Sequence, residues 1–364
     1  MFEELTLRKK IASPRANAVL VNDLQFGSTG KGAIVGYLAK NVWRPDTIVT
    51  AWAPNAGHTF IDKEGRKFVH RMLGNGIVSP DIKRVLIGPG SLVDLDVLLA
   101  EIDQCVDLIG GRVQIMMHEA AAIVLPAHRD IEQATMLKIG STAKGTGAAL
   151  IQKIKRDPDE SNIARDVRKS IDWHQVWSYV DVVGVEAYAA AVDEAKRILI
   201  EGAQGYSLGI NSGFWPYATS RECVPSQVLT DCQIPMSKLM LTVGTLRTFP
   251  IRVANRFNEA GVQIGTSGPC YPDQKELDWS EIGVEPEITT VTKLKRRVFT
   301  FSDQQLQAAV RACEPDLLFL NFVNYLPEAA RLSARARINT ITGGPIIRWE
   351  GHGPREDDIH LINI

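Results

Sequence analysis

Short apolar runs recur along this chain: Ala18-Val19-Leu20-Val21, Thr47-Ile48-Val49-Thr50-Ala51, the stretches 84–88 and 112–117, Arg197-Ile198-Leu199-Ile200, and the stretches 239–243 and 317–320. Runs this short, with little polar alternation, predict buried strands. Between several of them the pattern turns helical: over Ala33-Ile34-Val35-Gly36-Tyr37-Leu38-Ala39, from Leu92 to Ile102, and from Val192 to Lys196 behind an alanine-rich turn. The alternation predicts an α/β fold with a mainly parallel central sheet and flanking helices. Such sheets bind ligands at the carboxyl ends of their strands. That rule selects four loops: Gly27–Gly32 after the first strand, Pro54–Thr59 after the second, Gly202–Gly205 after the fifth and Asn321–Asn324 after the last.

Composition narrows the class. The 364 residues are 45% hydrophobic and 23% charged, as expected of a globular chain that buries a large core. No Pro/Ser-rich linker, charge block or internal repeat marks a boundary, so residues 1–364 are expected to form a single domain with insertions. A formal net charge of -1 lacks the footprint of a nucleic-acid binder, and any nucleotide handled is expected to be a small molecule. Cys105, Cys223, Cys232, Cys270 and Cys313 form no CxxC pair and no zinc spacing. They suit a reduced, cytoplasmic chain. The stretch Met1 to Pro14 has no signal-peptide core, and no later run reaches the ~18 apolar residues that span a bilayer, so no membrane association is expected.

The first loop carries candidate chemistry. In NDLQFGSTGKG, residues 22 to 32, Gly27 is separated from Gly30-Lys31 by two residues, where a Walker A loop needs four and then a serine or threonine. Backbone N–H groups freed by glycines, a helix start behind them and a lysine still make a cradle for polyphosphate. In the second loop, Asn55-Ala56-Gly57-His58-Thr59, Gly57 allows close approach of a ligand, and His58 can donate to oxygens that gain charge in phosphoryl transfer. The third loop, Glu201-Gly202-Ala203-Gln204-Gly205, offers Gln204, whose donor and acceptor suit the edge of a base.

Taken in order, these segments resemble the adenylosuccinate synthetase family. Its phosphate loop QWGDEGKGK is matched by QFGSTGKGA at Gln25 to Ala33, and its NNAGHT by PNAGHT at Pro54 to Thr59. Its GTTGRGIGP and following arginine are matched by GSTAKGTGA at Gly140 to Ala148 and Arg156. Its EGAQG and YPFVTSS are matched at 201–205 and by WPYATSR at 215–221, and its closing STGPDR resembles GHGPRE at 351–356. The similarity spans nearly the whole chain, and EGAQG with NAGHT in this order is a specific signal. The chain is shorter than typical bacterial members.

The resemblance implies a P-loop-related fold and a two-step ligation. A γ-phosphate moves to O6 of a purine monophosphate, and the amine of L-aspartate then displaces it at C6. The implied catalytic residues are Ser28, Lys31, His58 and Gln204. Ser28, Asn55, Ala56, Thr142, Arg156, Gln204 and Thr219 are implied to bind the monophosphate, with Arg156 supplied by the second subunit of a homodimer. Gly27, Thr29, Gly30, Lys31, Gly32, Gly57, His58, Thr59, Arg296, Asn321, Gly351, Gly353 and Pro354 are implied for the triphosphate. Thr289, Thr290, Val291, Thr292 and Arg296 are implied for aspartate. One or two Mg²⁺ ions would be held by Ser28 and the Gly57 carbonyl.

Three departures carry information. The family's aspartate, which takes the N1 proton and ligates Mg²⁺, is Ser28 here, and a serine needs an activating partner to act as a base near neutral pH. A dead paralogue, a different base or a different purine would each explain it. The different purine fits best, because Lys31, His58 and Gln204 all remain. The phage branch of the family, which makes 2-aminoadenylosuccinate from dGMP, is similar to this sequence in having a small hydroxyl residue there. In ITTVTKLKRRVF, residues 288 to 299, Leu294 takes the place of an arginine that reaches the ribose 2′-hydroxyl, while Arg296 and Arg297 stay. The family's TKLD, which reads guanine in GTP, becomes FLNFVN, with Asn321 and Asn324 and no carboxylate, which favours ATP or dATP. The expectation is a homodimeric ligase joining L-aspartate to dGMP. Its rivals are a synthetase acting on IMP, a non-catalytic purine-nucleotide sensor and, disfavoured by its Walker spacing, a GTPase switch.

Overall fold

The apolar runs pair side by side. The computed structural model describes residues 2–169, 174–289, 294–344 and 346–362. Its main sheet contains β1 (Ala18–Asp23), β2 (Thr47–Thr50), β3 (Arg84–Ile87), β4 (Gln114–His118), β5 (Val180–Val183), β6 (Ile198–Glu201), β7 (Leu239–Arg247), β8 (Leu317–Asn321), β9 (Ile346–Gly351) and β10 (Ile359–Leu361). The order is β10-β9-β8-β7-β1-β6-β2-β3-β4-β5. Every neighbouring pair is parallel except β9 with β10. β1 lies at the centre with all six residues buried, which is why its sequence carries no polar alternation.

Three strands escape the pattern. β5 is an edge strand with Asp181 exposed, and β10 is a short antiparallel edge. β9 holds Glu350 fully buried, a charge that a hydropathy pattern reads as loop; Arg335 pairs with it. Gly202–Gly205 therefore follows the sixth strand of the sheet rather than the fifth, and β9 and β10 come after Asn321–Asn324.

Two helical segments are corrected as well. Leu92–Val93 is a short strand paired with Ala122–Ile123, and the helix Leu95–Gln104 starts only after Asp94, whose carboxylate caps Val97 N at 3.3 Å. The alanine-rich helix is Val185–Glu194; Ala195 is extended and Lys196 lies outside. After β1, the helix Lys31–Tyr37 continues into a π turn at Leu38–Val42.

Apolar side chains fill both faces of the sheet. Val19, Val21, Ile34, Leu38 and Phe60 belong to one buried cluster, and Leu20, Val49, Ile198 and Ile200 to the other. Among the described residues no helix is long and apolar enough to cross a membrane. All five cysteines are free thiols. β8, β7, β1, β6 and β2 are consecutive and parallel, so the loops at their carboxyl ends share one side of the sheet.

Candidate active site

Those loops enclose a cavity of about 1090 Å³. Its wall includes Gly27, Ser28, Gly30, Lys31, Gly32, Asn55, Ala56, Gly57, His58, Thr59 and Gln204. Thr142, Thr219, Thr289, Arg296, Asn321, Gly353 and Pro354 join it from elsewhere in the chain. Residues separated by more than 300 positions thus meet in one place.

The glycine turn is built on left-handed backbone: φ is 86° at Gly27, 57° at Ser28 and 92° at Gly30. A Cβ on Gly30 would sit 2.0 Å from Asn321 Nδ2, so both backbone angle and close approach require glycine. The turn feeds the N-terminus of the helix Lys31–Tyr37, where unpaired N–H groups favour anions. Below it lies Asp23, wholly buried, accepting from Gln25 N at 2.8 Å, Gly27 N at 3.2 Å and Lys31 Nζ at 2.9 Å. Lys31 Nζ also donates to the Gln204 carbonyl at 2.6 Å.

His58 stands on the next loop, where the hairpin His58–Ile61 and Lys67–His70 begins. Its Nδ1 lies 2.8 Å from Glu201 Oε1 at the end of β6. The other oxygen of Glu201 accepts from Asn75 N at 2.9 Å, and Trp52 Nε1 donates to the Glu201 carbonyl at 2.6 Å. Trp52 also packs on the imidazole, with ring centroids 4.4 Å apart. Burial pushes the His58 pKa down, against the opposing pull of Glu201. Burial thus favours the neutral imidazole, in which Nδ1–H on Glu201 leaves the other ring nitrogen for a ligand.

Gln204, at φ 53°, donates Nε2 to Asn55 Oδ1 at 2.9 Å. Its Oε1 is buried and has no partner among the described residues. A buried acceptor in this state has capacity for one more N–H, from a ligand or from water. Behind the wall residues Ser28, Glu287 and Phe322, the buried Arg247 donates to the Ser28 carbonyl at 3.1 Å, pairs with Glu287 and lies 3.8 Å from the centroid of the Phe322 ring. Burial of Glu287 favours its neutral form, but Arg247 and the Tyr325 hydroxyl at 3.1 Å hold its pKa below the ordinary value.

Several expected site residues have other surroundings. Thr29 is wholly buried and bonds Asp23, and Gly351 is buried, with no space for a Cβ beside Asn321. The Asn321 amide is engaged by backbone: Oδ1 accepts from Phe322 N at 2.8 Å and Nδ2 donates to the Thr29 carbonyl at 3.2 Å. Arg156, at φ 57° on the end of the helix Thr146–Lys155, is exposed and does not line the cavity of its own chain. Thr290, Val291 and Thr292 lie outside the described residues.

Asp23, Glu201, Arg247 and Glu287 are the site residues that motif matching passed over. For Asp23 a signal existed, since an acid directly between a buried strand and a glycine turn has no solvent to face. Glu201 stood inside EGAQG without a role. Arg247 and Glu287 are 40 positions apart and become partners only in three dimensions.

Known proteins match this arrangement. The family model for adenylosuccinate synthetase matches residues 20–160 and 159–335. The N6-succino-2-amino-2′-deoxyadenylate synthase of Salmonella phage PMBT28 is 51% identical over 359 residues, covering 94% of this chain and 97% of that one. Among solved structures, the succinoaminodeoxyadenylate synthetase of cyanophage S-2L, bound to dGMP and to dATP as an energy donor, superposes with a TM-score of 0.86 at 39% identity over 96% of both chains. Adenylosuccinate synthetase from Plasmodium falciparum has a TM-score of 0.76 at 20% identity, covering 96% of this chain and 100% of that one, a likeness of fold alone. The glycine turn, the His58–Glu201 pair and these matches together place the chain in the adenylosuccinate synthetase family.

Proposed function

We propose that this protein is a ligase that joins L-aspartate to C6 of dGMP, using ATP or dATP, and yields 2-amino-2′-deoxy-N6-succinyladenylate for 2-aminoadenine nucleotide synthesis. The observation that carries the reading is Ser28, exposed on the cavity wall that also holds Lys31 and Gln204, a residue smaller than aspartate and so more accommodating of the 2-amino group of guanine. The unpartnered Gln204 Oε1 offers an acceptor to a purine N–H. The cyanophage relative, which binds dGMP and dATP, supports the choice of purine and donor.

In the first step O6 of dGMP attacks the γ-phosphorus, the nucleoside diphosphate leaves and the purine N1 proton is released to water. Turn amides and Lys31 hold the phosphates. The polyanion favours the imidazolium form of His58, which then donates from its second ring nitrogen to the transferring group while Glu201 holds the first. In the second step the aspartate amine adds at C6 and inorganic phosphate departs, with Thr289 and Arg296 on the aspartate side of the cavity.

Mg²⁺ suits the donors present. Among the described residues no cluster of three acidic, histidine or cysteine side chains could cage a metal, whereas the Ser28 hydroxyl and Gly57 carbonyl supply hard oxygens at the cavity wall. An ion held there with the phosphates would neutralise charge during transfer. The working unit is a homodimer. Arg156, exposed at the end of the helix Thr146–Lys155 and outside the cavity of its own chain, fits a partner that receives it. Free thiols fit the cytoplasm of a host cell.

The test crosses dGMP, GMP and IMP against ATP, dATP and GTP with aspartate and Mg²⁺, following phosphate release and product mass. Turnover of dGMP with an adenine donor is expected. Turnover of IMP but not dGMP would sink the reading, and tight binding without product would make the protein a sensor.

A further inference from the structure

Asp23 is the last residue of β1 and has no exposed surface. Its carboxylate receives four donors: Gln25 N and Gly27 N on Oδ1, and Lys31 Nζ and the Thr29 hydroxyl on Oδ2. Thr29 is itself fully buried and shares its hydroxyl with Thr245 Oγ1. With its oxygens so engaged and no route to the cavity, Asp23 cannot take a proton from a purine. What it touches is the machinery that holds phosphate.

The arrangement fixes Lys31. Two of the three ammonium protons are committed, one to Asp23 and one to the Gln204 carbonyl, which leaves one for a phosphate oxygen. Lys31 is 4% exposed, and Asp23 is its ion-pair partner. The same lysine ties the phosphate cradle to the backbone of the residue facing the purine. Thus one buried carboxylate governs the turn, the lysine and, through the lysine, Gln204.

We propose that Asp23 is a positioning residue for phosphoryl transfer: it aims Lys31, so that the lysine presents a single donor to the transferring phosphate. The proposal rests on the triphosphate-driven ligase reading given above. It places the structural carboxylate of this site beneath the turn, at 23, rather than on it, at 28.

The variant Asp23→Asn keeps shape and an acceptor for Gln25 N and Gly27 N but removes the charge. Its Kd for β,γ-imido-ATP, measured by calorimetry with Mg²⁺, is expected to rise at least 10-fold, while the Kd for dGMP alone stays within about 2-fold. Its KM for the triphosphate is expected to rise with that Kd while its KM for dGMP stays within about 2-fold, a split that a general loss of structure would not give.

In a Lys31→Met background, adding Asp23→Asn is expected to change nothing further, since Asp23 acts through Lys31. If Asp23→Asn does not fold, Thr29→Val, which removes one anchor of the carboxylate, is expected to weaken imido-ATP binding about 3-fold and leave dGMP binding unchanged. Unchanged imido-ATP binding in the folded variant, or equal losses for dGMP and imido-ATP, would overturn the proposal. A wild type that binds imido-ATP but turns over no substrate pair would defeat the ligase reading and leave the binding comparison decisive for Asp23.

Discussion

The Glu201 carboxylate meets the His58 imidazole at 2.8 Å, Oε1 to Nδ1, with both side chains under a tenth exposed. Glu201 is anchored on its other side by Asn75 N, so the pair has one geometry. That geometry fixes which ring nitrogen faces the cavity. Glu201→Gln replaces an acceptor with an amide and removes the charge that supports an imidazolium. A fall of about 100-fold in kcat is expected, with little change in KM for dGMP, as steady-state kinetics will show.

Ser28→Asp tests the choice of purine. Aspartate tolerates left-handed backbone better than most residues, and Ser28 is exposed, so the variant is expected to fold. The added carboxyl fills the space assigned to the 2-amino group. We expect kcat/KM with dGMP to drop by about 10-fold or more. An unchanged value would show that position 28 does not select the base.

Gly30→Ala combines strain with a clash. Its φ of 92° disfavours any Cβ, and the new methyl would lie 2.0 Å from Asn321 Nδ2. A loss of about 2–3 kcal/mol in urea denaturation is expected, together with weakened triphosphate binding. The paired control, Gly65→Ala, also has positive φ but open space around it, and is expected to show the strain alone.

His70 makes stability depend on acid. Burial lowers its pKa from 6.5 to about 4. The unfolded chain therefore binds a proton between those values that the native chain refuses, and stability present above pH 6.5 drains away as pH falls towards 4. The full shift corresponds to about 3 kcal/mol. Glu101, raised by burial to about 7, works in the opposite sense, adding stability at low pH that is lost as pH rises through 7. The contribution of His70 is isolated by comparing melting temperatures of wild type and His70→Gln from pH 7.5 to 4.5; the variant's curve should be flatter.

Arg156 tests the dimer. Alone, Arg156→Ala and Lys31→Met are each expected to be nearly inactive. Mixed after subunit exchange, they form hetero-dimers in which one site has its own Lys31 and receives Arg156 from the other chain. Activity should return to about a quarter of wild type, set by random pairing in a symmetric dimer. No recovery, with exchange verified by mass spectrometry, would argue that Arg156 serves its own chain.

The local features were legible because local chemistry writes them. Buried parallel strands need unbroken apolar runs, and β1, β2, β3, β4, β6, β7 and β8 each fall on one. The glycine turn, NAGHT and EGAQG were legible for the same reason: positive φ, close approach and a facing amide each require particular residues at particular places. β9 was hidden because burying Glu350 is possible only with Arg335 brought across from a helix. Leu92 and Val93 were taken for helix because a strand of two residues depends on its partner at Ala122–Ile123.

The sequence alone carries the fold class, the set of loops and a polar subset of the cavity lining, Ser28, Lys31, His58 and Gln204 among it. Tertiary structure decided how those residues are employed. Asn321 looks free to read a base, yet its amide is spent on the backbone of Thr29 and Phe322. Asp23 looks like the end of a strand, yet it holds the Lys31 ammonium. The physical reason is common to both: a buried polar group must find its partner, and which partner is within 3 Å is set by how distant segments pack, not by neighbours along the chain.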